Sequence, residues 1–408
     1  MEVLDSLAYN KLNEIKYCLD KNLLSKTHLG LMNGLSGITL FYFYYHKFTD
    51  DKTSYNTGME LLYSCLNKIN KGFHQPFFSI GLSGYGWLLD HLSSKNIIDS
   101  NNDEILGELD ELLYLEMKKS LIYGNYDFLH GALGYGMYFL KRLNCTKSKL
   151  KQVKYKTYLL HLLDSLEKLA EKLNNNSEYR WLSMLDIKRK EMVYNFSLSH
   201  GMSSIINFLS RVSLIEELKS KADPMLKGAI RYILNSKNQE KSQSLFPSFI
   251  KPNNNTERDS SRLSWCYGDL GIGISLLKAS KVIDNSDLKL EAIEILKFSA
   301  KRTNVKENKV FDAGICHGAF GIANLFNEAY KESQIDDFFL TSEFWIKKGL
   351  EMDYHQDGFA GYKKLNGDMS TWINETSLLE GISGIGMVLM DYLSKDMNFN
   401  WNECILLS

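Results

Sequence analysis

Seven short apolar runs punctuate the chain, at positions 38–44, 87–92, 137–143, 205–212, 274–277, 322–326 and 387–393. Between them lie amphipathic stretches, clearest at 104–119 and 154–173. A run apolar all round reads as a buried helix, and apolar positions recurring every three or four residues read as a helix with one wet face. The pattern predicts buried helices alternating with outer ones, one helical hairpin per repeat.

Glycine marks where each repeat begins. Gly34 and Gly37, then Gly81, Gly84 and Gly86, then Gly131, Gly134 and Gly136 precede the first three runs. Gly201 precedes the fourth, where Ser204 replaces the second glycine and Ser203 stands beside it. Gly268, Gly271 and Gly273, then Gly318 and Gly321, then Gly381, Gly384 and Gly386 complete the series. These segments hold 17 of the 28 glycines, which scattered turn usage would not produce. The first glycines are spaced by 47, 50, 70, 67, 50 and 63 residues, enough for an inner helix, an outer helix and two loops. Glycine at the start of a buried helix permits close backbone approach and is expected to leave the first N–H groups uncovered at one end of the assembly. Closed into a ring, seven hairpins make an all-α (α/α)7 toroid. An open solenoid has the same periodicity, and periodicity alone does not choose between them. The expectation is one domain over 1–408, with loops or short strands in the excursions near 174–195 and 239–259.

Composition narrows the function. The 48 Lys and Arg balance 49 Asp and Glu, so a nucleic acid or an anionic membrane is not the expected partner. Only Pro76, Pro224, Pro247 and Pro252 occur, in keeping with a helical chain. Neither a signal-peptide pattern nor an apolar stretch of about 20 residues is present, which predicts a cytoplasmic protein without membrane insertion. Six cysteines are too sparse for a disulfide scaffold, so any that cluster are candidates for metal binding or catalysis.

Two of them share a register. Cys266 and Cys316 each stand two residues before a motif glycine, while His130, His200, Tyr267, His317 and Glu380 each stand one before. If the repeats superpose, two thiols and the His317 imidazole meet in a set zinc favours, and three protein ligands leave one position open for chemistry. The bland reading makes each cysteine a small buried hydrophobe and His317 a satisfied helix-end residue. Their common register argues against it. Cys18, Cys65, Cys145 and Cys404 have no such placement.

Trp265-Cys266-Tyr267-Gly268 and Cys316-His317-Gly318, set among seven glycine-rich helix starts, resemble the LanC-like family of lanthionine cyclases over essentially the whole chain. The resemblance implies one zinc per chain on Cys266, Cys316 and His317. It also implies catalytic roles for Asp127, His200, Arg262 and Tyr267. The implied substrate is a dehydrated precursor peptide, leader plus core, in which a cysteine thiolate adds to dehydroalanine or dehydrobutyrine to close a (methyl)lanthionine ring. In that scheme Arg262 stabilises the enolate, His200 protonates Cα, and Asp127 orients His200 or takes the thiol proton. Larger family members fuse other modules. At 408 residues the chain resembles the standalone cyclase, working with a separate dehydratase and an exporter. Ser204 departs from the family's second glycine, and His130 has no role to carry over. Without the resemblance, Asp127 reads as a helix cap and Arg262 as a solvated or paired side chain. Rival readings are another zinc-dependent thiol alkylation (glutathione addition or prenyl transfer), a non-catalytic peptide scaffold, and a glycosidase using Asp269 and Glu380, which has no use for the cysteines.

Overall fold

The structure is a computed structural model that describes residues 2–23, 28–186, 191–238, 242–252, 260–367, 370–394 and 400–408. Its helices run in the order α1 (Glu2–Asn22), α2 (Leu35–Thr49), α3 (Lys52–Asn70), α4 (Leu82–Ser94), α5 (Asn102–Ile105), α6 (Gly107–Ile122), α7 (Ala132–Cys145) and α8 (Lys149–Leu169). They continue through α9 (Met202–Val212), α10 (Glu216–Asn235), α11 (Asp269–Val282), α12 (Ser286–Ala300), α13 (Ala319–Ser333), α14 (Asp336–Leu350) and α15 (Ile382–Leu393).

The motif glycines Gly34, Gly81, Gly131, Gly201, Gly268, Gly318 and Gly381 are the N-caps of α2, α4, α7, α9, α11, α13 and α15. These seven helices are buried nearly throughout, because they are apolar on every side. Each packs on the next, and α15 packs back onto α2, so the ring closes and the open solenoid is excluded. Six outer helices, α3, α6, α8, α10, α12 and α14, pack against the inner helix that precedes them. The seventh pair differs from a simple hairpin: α15 is backed by α1, from the other end of the sequence.

The helix starts are not bare. The loop before each of five motifs curls back so that carbonyls seven residues upstream accept the first two helical N–H groups. Examples are Leu82 N to Gln75 O at 2.8 Å and Ala132 N to Asn125 O at 3.1 Å. The expected row of uncovered N–H groups is thus largely satisfied from within, as buried backbone demands.

The same turns are stitched sideways into a belt. Leu198 N donates to Cys266 O (2.9 Å), Cys266 N to Cys316 O (3.1 Å), and Cys316 N to Leu379 O (2.9 Å). Leu379 N then donates to Met32 O (3.0 Å), Met32 N to Ser79 O (3.0 Å), and Ser79 N to Leu129 O (3.1 Å). Among the described residues no backbone bond joins Leu129 to the fourth motif.

Short strands lie in and beside the expected excursions, β1 (Glu171–Leu173), β2 (Glu178–Arg180), β3 (Leu182–Asp186), β4 (Glu191–Asn195) and β5 (Phe249–Ile250), and two more, β6 (Lys364–Leu365) and β7 (Trp372–Ile373), lie outside them before the last motif. β1 pairs with β2, β3–β4–β5 form a sheet, and β6 pairs with β7, all antiparallel. The expected outer helix over 154–173 ends four residues early, because Glu171 turns into β1 and its carboxylate binds Arg180 and the Tyr194 hydroxyl. Of the second excursion, 239–241 and 253–259 lie outside the described residues.

Candidate functional site

Cys266 and Cys316 are carried by consecutive motif turns, and the belt bond between their backbones fixes one thiol beside the other. The Ser264 hydroxyl, fully buried, shapes the first turn by accepting from Tyr267 N (3.1 Å) and donating to Tyr267 O (2.9 Å). Gly268 closes that turn at φ 100°, where its missing Cβ would lie 2.2 Å from Arg262 O. His317 follows Cys316 directly, and ligand atoms of Cys266, Cys316 and His317 all lie within 4.8 Å of one another.

Nothing in the sequence singled out Asp312. Its carboxylate, 3% exposed, holds His317 Nε2 at 3.0 Å and is itself fixed by Gly314 N and Leu365 N at 3.2 Å each. That leaves Nδ1 as the imidazole nitrogen for the thiols' side. A carboxylate behind a ligating histidine is the usual support of a zinc site. The only local signal is an acid six residues before the motif glycine.

Proton placement tells the same story. The Cys266 thiol is pulled well below its ordinary value, first by the hydrogen bond from Cys316 and, against burial, by His317. Cys316 is held well above, by that same bond and by burial. Burial opposes a charged His317, yet Asp312 and Cys266 raise it to about 10. Because thiol and imidazolium ligands must lose their protons to coordinate, cation binding at this trio is coupled to proton release. Two sulfurs, one nitrogen and a supported ring fit zinc.

Next to the trio lies a second cluster. Asp127 sits in the turn before α7, where Asn125 Oδ1 accepts from its N–H (3.2 Å) and Asn125 Nδ2 bonds the His130 carbonyl (2.9 Å). One Asp127 oxygen accepts from His130 N (2.6 Å), and the other meets His200 Nδ1 at 2.5 Å. His200 is held by its own N–H on Ser197 Oγ (2.9 Å). Burial opposes the charge of Asp127, but bonds from His130 and His200 keep its carboxyl well below the usual range. Burial likewise opposes a charged His200, and the bond and charge of Asp127 outweigh it, so its pKa lies above the ordinary histidine value.

Asp127, His130, His200 and Tyr267 line one cleft of about 590 Å³, together with Met184, Leu185 and Met192 of the β3–β4 hairpin. The Tyr267 hydroxyl accepts from Asn195 Nδ2 at 3.3 Å. Tyr267 joins the clusters, being adjacent in sequence to Cys266 and in the cleft with His200. Arg262 is not among the lining residues: its Nη2 donates to Lys309 O at 2.6 Å. Glu380 faces Lys364 (2.8 Å), and Asp269 is buried against Arg302 (3.0 Å), so the two carboxylates of the glycosidase reading belong to separate ion pairs. A larger hollow of about 930 Å³ lies at the far ends of α4 and α7, where buried Arg142 neutralises Asp90 and Asp110.

Residues 25–406 match the sequence profile described as Lanthionine synthetase C-like protein. The chain belongs to the lanthionine synthetase C-like family. Within the solved structures it is similar to nisin cyclase, at 19% identity and a TM-score of 0.73, over 98% of this chain and 97% of that one. That likeness is of fold, and it agrees with the closed helical ring. Two fainter similarities are to a sugar epimerase from a ruminal bacterium (9% identity, TM-score 0.44, 95% and 99% coverage) and to a family 76 glycoside hydrolase from Bacteroides thetaiotaomicron (13%, 0.42, 76% and 84%). Among the described residues no helix is long and apolar enough to cross a membrane.

Proposed function

We propose that this family member is a zinc-dependent lanthionine cyclase that closes thioether rings in a dehydrated precursor peptide. The observation that supports this most is the meeting of Cys266, Cys316 and His317 beside a cleft in which His200 is held by Asp127. Zinc on that trio supplies the positive charge that ionises a peptide cysteine near neutral pH.

The chain's own residues account for the rest. The cleft is open and carries the apolar Met184, Leu185 and Met192, suited to holding a peptide loop. Sulfur bonds to the β-carbon of the dehydro residue, and the electron pair of the Cα–Cβ double bond shifts toward the neighbouring carbonyl. With its oxygen accepting from Asn195, the Tyr267 hydroxyl keeps its proton free for that enolate oxygen. Arg262 shares this task only if its side chain leaves Lys309. His200, whose pKa Asp127 raises against the effect of burial, delivers a proton to Cα. One proton is lost from sulfur and one gained at carbon, so product and substrate have equal mass. A separate dehydratase must make the substrate, and an exporter is the expected recipient of the product.

The test incubates zinc-loaded protein with a dehydrated peptide and counts thiols by alkylation and mass spectrometry. Loss of alkylatable thiol at unchanged peptide mass supports ring closure. Thiols that persist with bound zinc overturn it, and consumption of a free small thiol instead would favour general thiol alkylation.

A further inference from the structure

His130 is the cleft imidazole that the proposed chemistry leaves unused. Its side chain is 46% exposed, and its Nδ1 stands 3.7 Å from one Asp127 oxygen while His200 Nδ1 holds the other at 2.5 Å. Two imidazoles thus flank a single carboxylate. Their rings are within 11° of parallel, with centroids 6.3 Å apart, and the Phe77 ring meets His130 edge-on at 5.9 Å. Ligand atoms of Asp127, His130 and His200 lie within 4.8 Å of one another. Among the described residues no Lys or Arg lines the cleft, so the carboxylate's partners there are the two imidazoles.

We propose that Asp127, His130 and His200 form a second, weaker divalent-cation site that takes zinc in excess and thereby inhibits the enzyme. Two imidazoles and a carboxylate are a ligand set zinc accepts. Lacking thiolate, the set binds a soft cation less firmly than Cys266, Cys316 and His317 do. Ligation displaces the proton between His200 and Asp127, so the ring that carries a proton to Cα is no longer available for it. This inhibitory consequence rests on the function proposed above, whereas the binding itself does not.

The experiment titrates untagged protein with Co(II) and, separately, with zinc, and measures equivalents bound alongside the cobalt–thiolate absorption band. The parent is expected to bind two equivalents, with only the tighter one giving the thiolate band. His130→Asn, with His130→Gln as a second variant, keeps the banded equivalent and loses the other. Cys316→Ala does the reverse. Excess zinc suppresses ring closure in the parent and much less in the His130 variants. A parent that saturates at one equivalent, or folded His130 variants that retain the second, overturns the site. A parent without the thiolate band that still binds the His130-dependent equivalent supports this site and overturns the cysteine one.

Discussion

The backbone N–H of Cys266 donates to the carbonyl of Cys316 at 3.1 Å, so the two cysteines are registered by main chain before either thiol meets a ligand. Removing one side chain therefore leaves the turn intact. Cys316→Ala is expected to fold and to lose zinc. Elemental analysis would show about one zinc per parent chain and little in the variant. A folded parent that stays metal-free when zinc is supplied contradicts the assignment.

Asp312 would act on a metal held by the trio only through His317, whose Nε2 it meets at 3.0 Å. Asp312→Asn is expected to keep the cysteines in place and to weaken zinc binding about 10–100-fold, the usual effect of losing the carboxylate behind a ligating histidine. Competition with a chromogenic chelator measures this, and unchanged affinity would mean that the 3.0 Å contact does not tune the ring.

His200 is expected to be dispensable for zinc on Cys266, Cys316 and His317 but not for turnover. His200→Ala should slow ring closure roughly 10²–10⁴-fold, the range for a lost general acid. Loss of the tightly bound, cysteine-dependent zinc in that variant would make His200 a ligand of the cysteine site instead.

Asp127 raises the pKa of His200 against the effect of burial, so the protonated, proton-donating form persists to higher pH than in free histidine. In Asp127→Asn the carboxylate charge is gone and the His200 pKa falls. The alkaline limb of the ring-closure rate then moves to lower pH. A limb that stays in place would show that another group donates the proton.

The second glycine of a motif is set by the carbonyl six residues upstream. A Cβ at Gly321 would lie 1.8 Å from Ile315 O, so Gly321→Ala is expected to cost about 3 kcal/mol or more in denaturant unfolding. The fourth motif instead accommodates Ser204, whose hydroxyl donates to Gly201 O at 2.6 Å. Ser204→Gly is expected to cost only about 1 kcal/mol. A collapse there would show that the fourth turn does not follow the others.

Much of this was readable because glycine and apolar residues recur together: seven helix starts fall immediately after the motif glycines that announce them. The partners of those helices were harder to see. Nothing local in α1 says that it backs α15, since that contact spans the whole chain. Glu171-Lys172-Leu173 favours helix by composition, yet pairs as a strand because Arg180 and Tyr194 hold Glu171 from outside the segment. At the site, register alone brought Cys266, Cys316 and His317 together and put Tyr267 and His200 in one cleft. It could not show Asp312 behind His317, nor that Arg262 is spent on a carbonyl of the next turn, because both depend on how loops fold over the ring.

The belt of turn-to-turn bonds has a mechanical meaning. From Leu198 round through Met32 to Leu129 the rim is one hydrogen-bonded strap, and the cleft opens where Leu129 and the fourth motif are left unstitched. Among the described residues no main-chain bond crosses that seam, which the Asp127–His200 contact at 2.5 Å bridges through side chains, so a molecule entering the cleft need break no backbone bond of the rim. The hoop can thus stay stiff around Cys266 and Cys316 while the side-chain contact beside the cleft adjusts, so rigidity at one site and adaptability at the other need not compete.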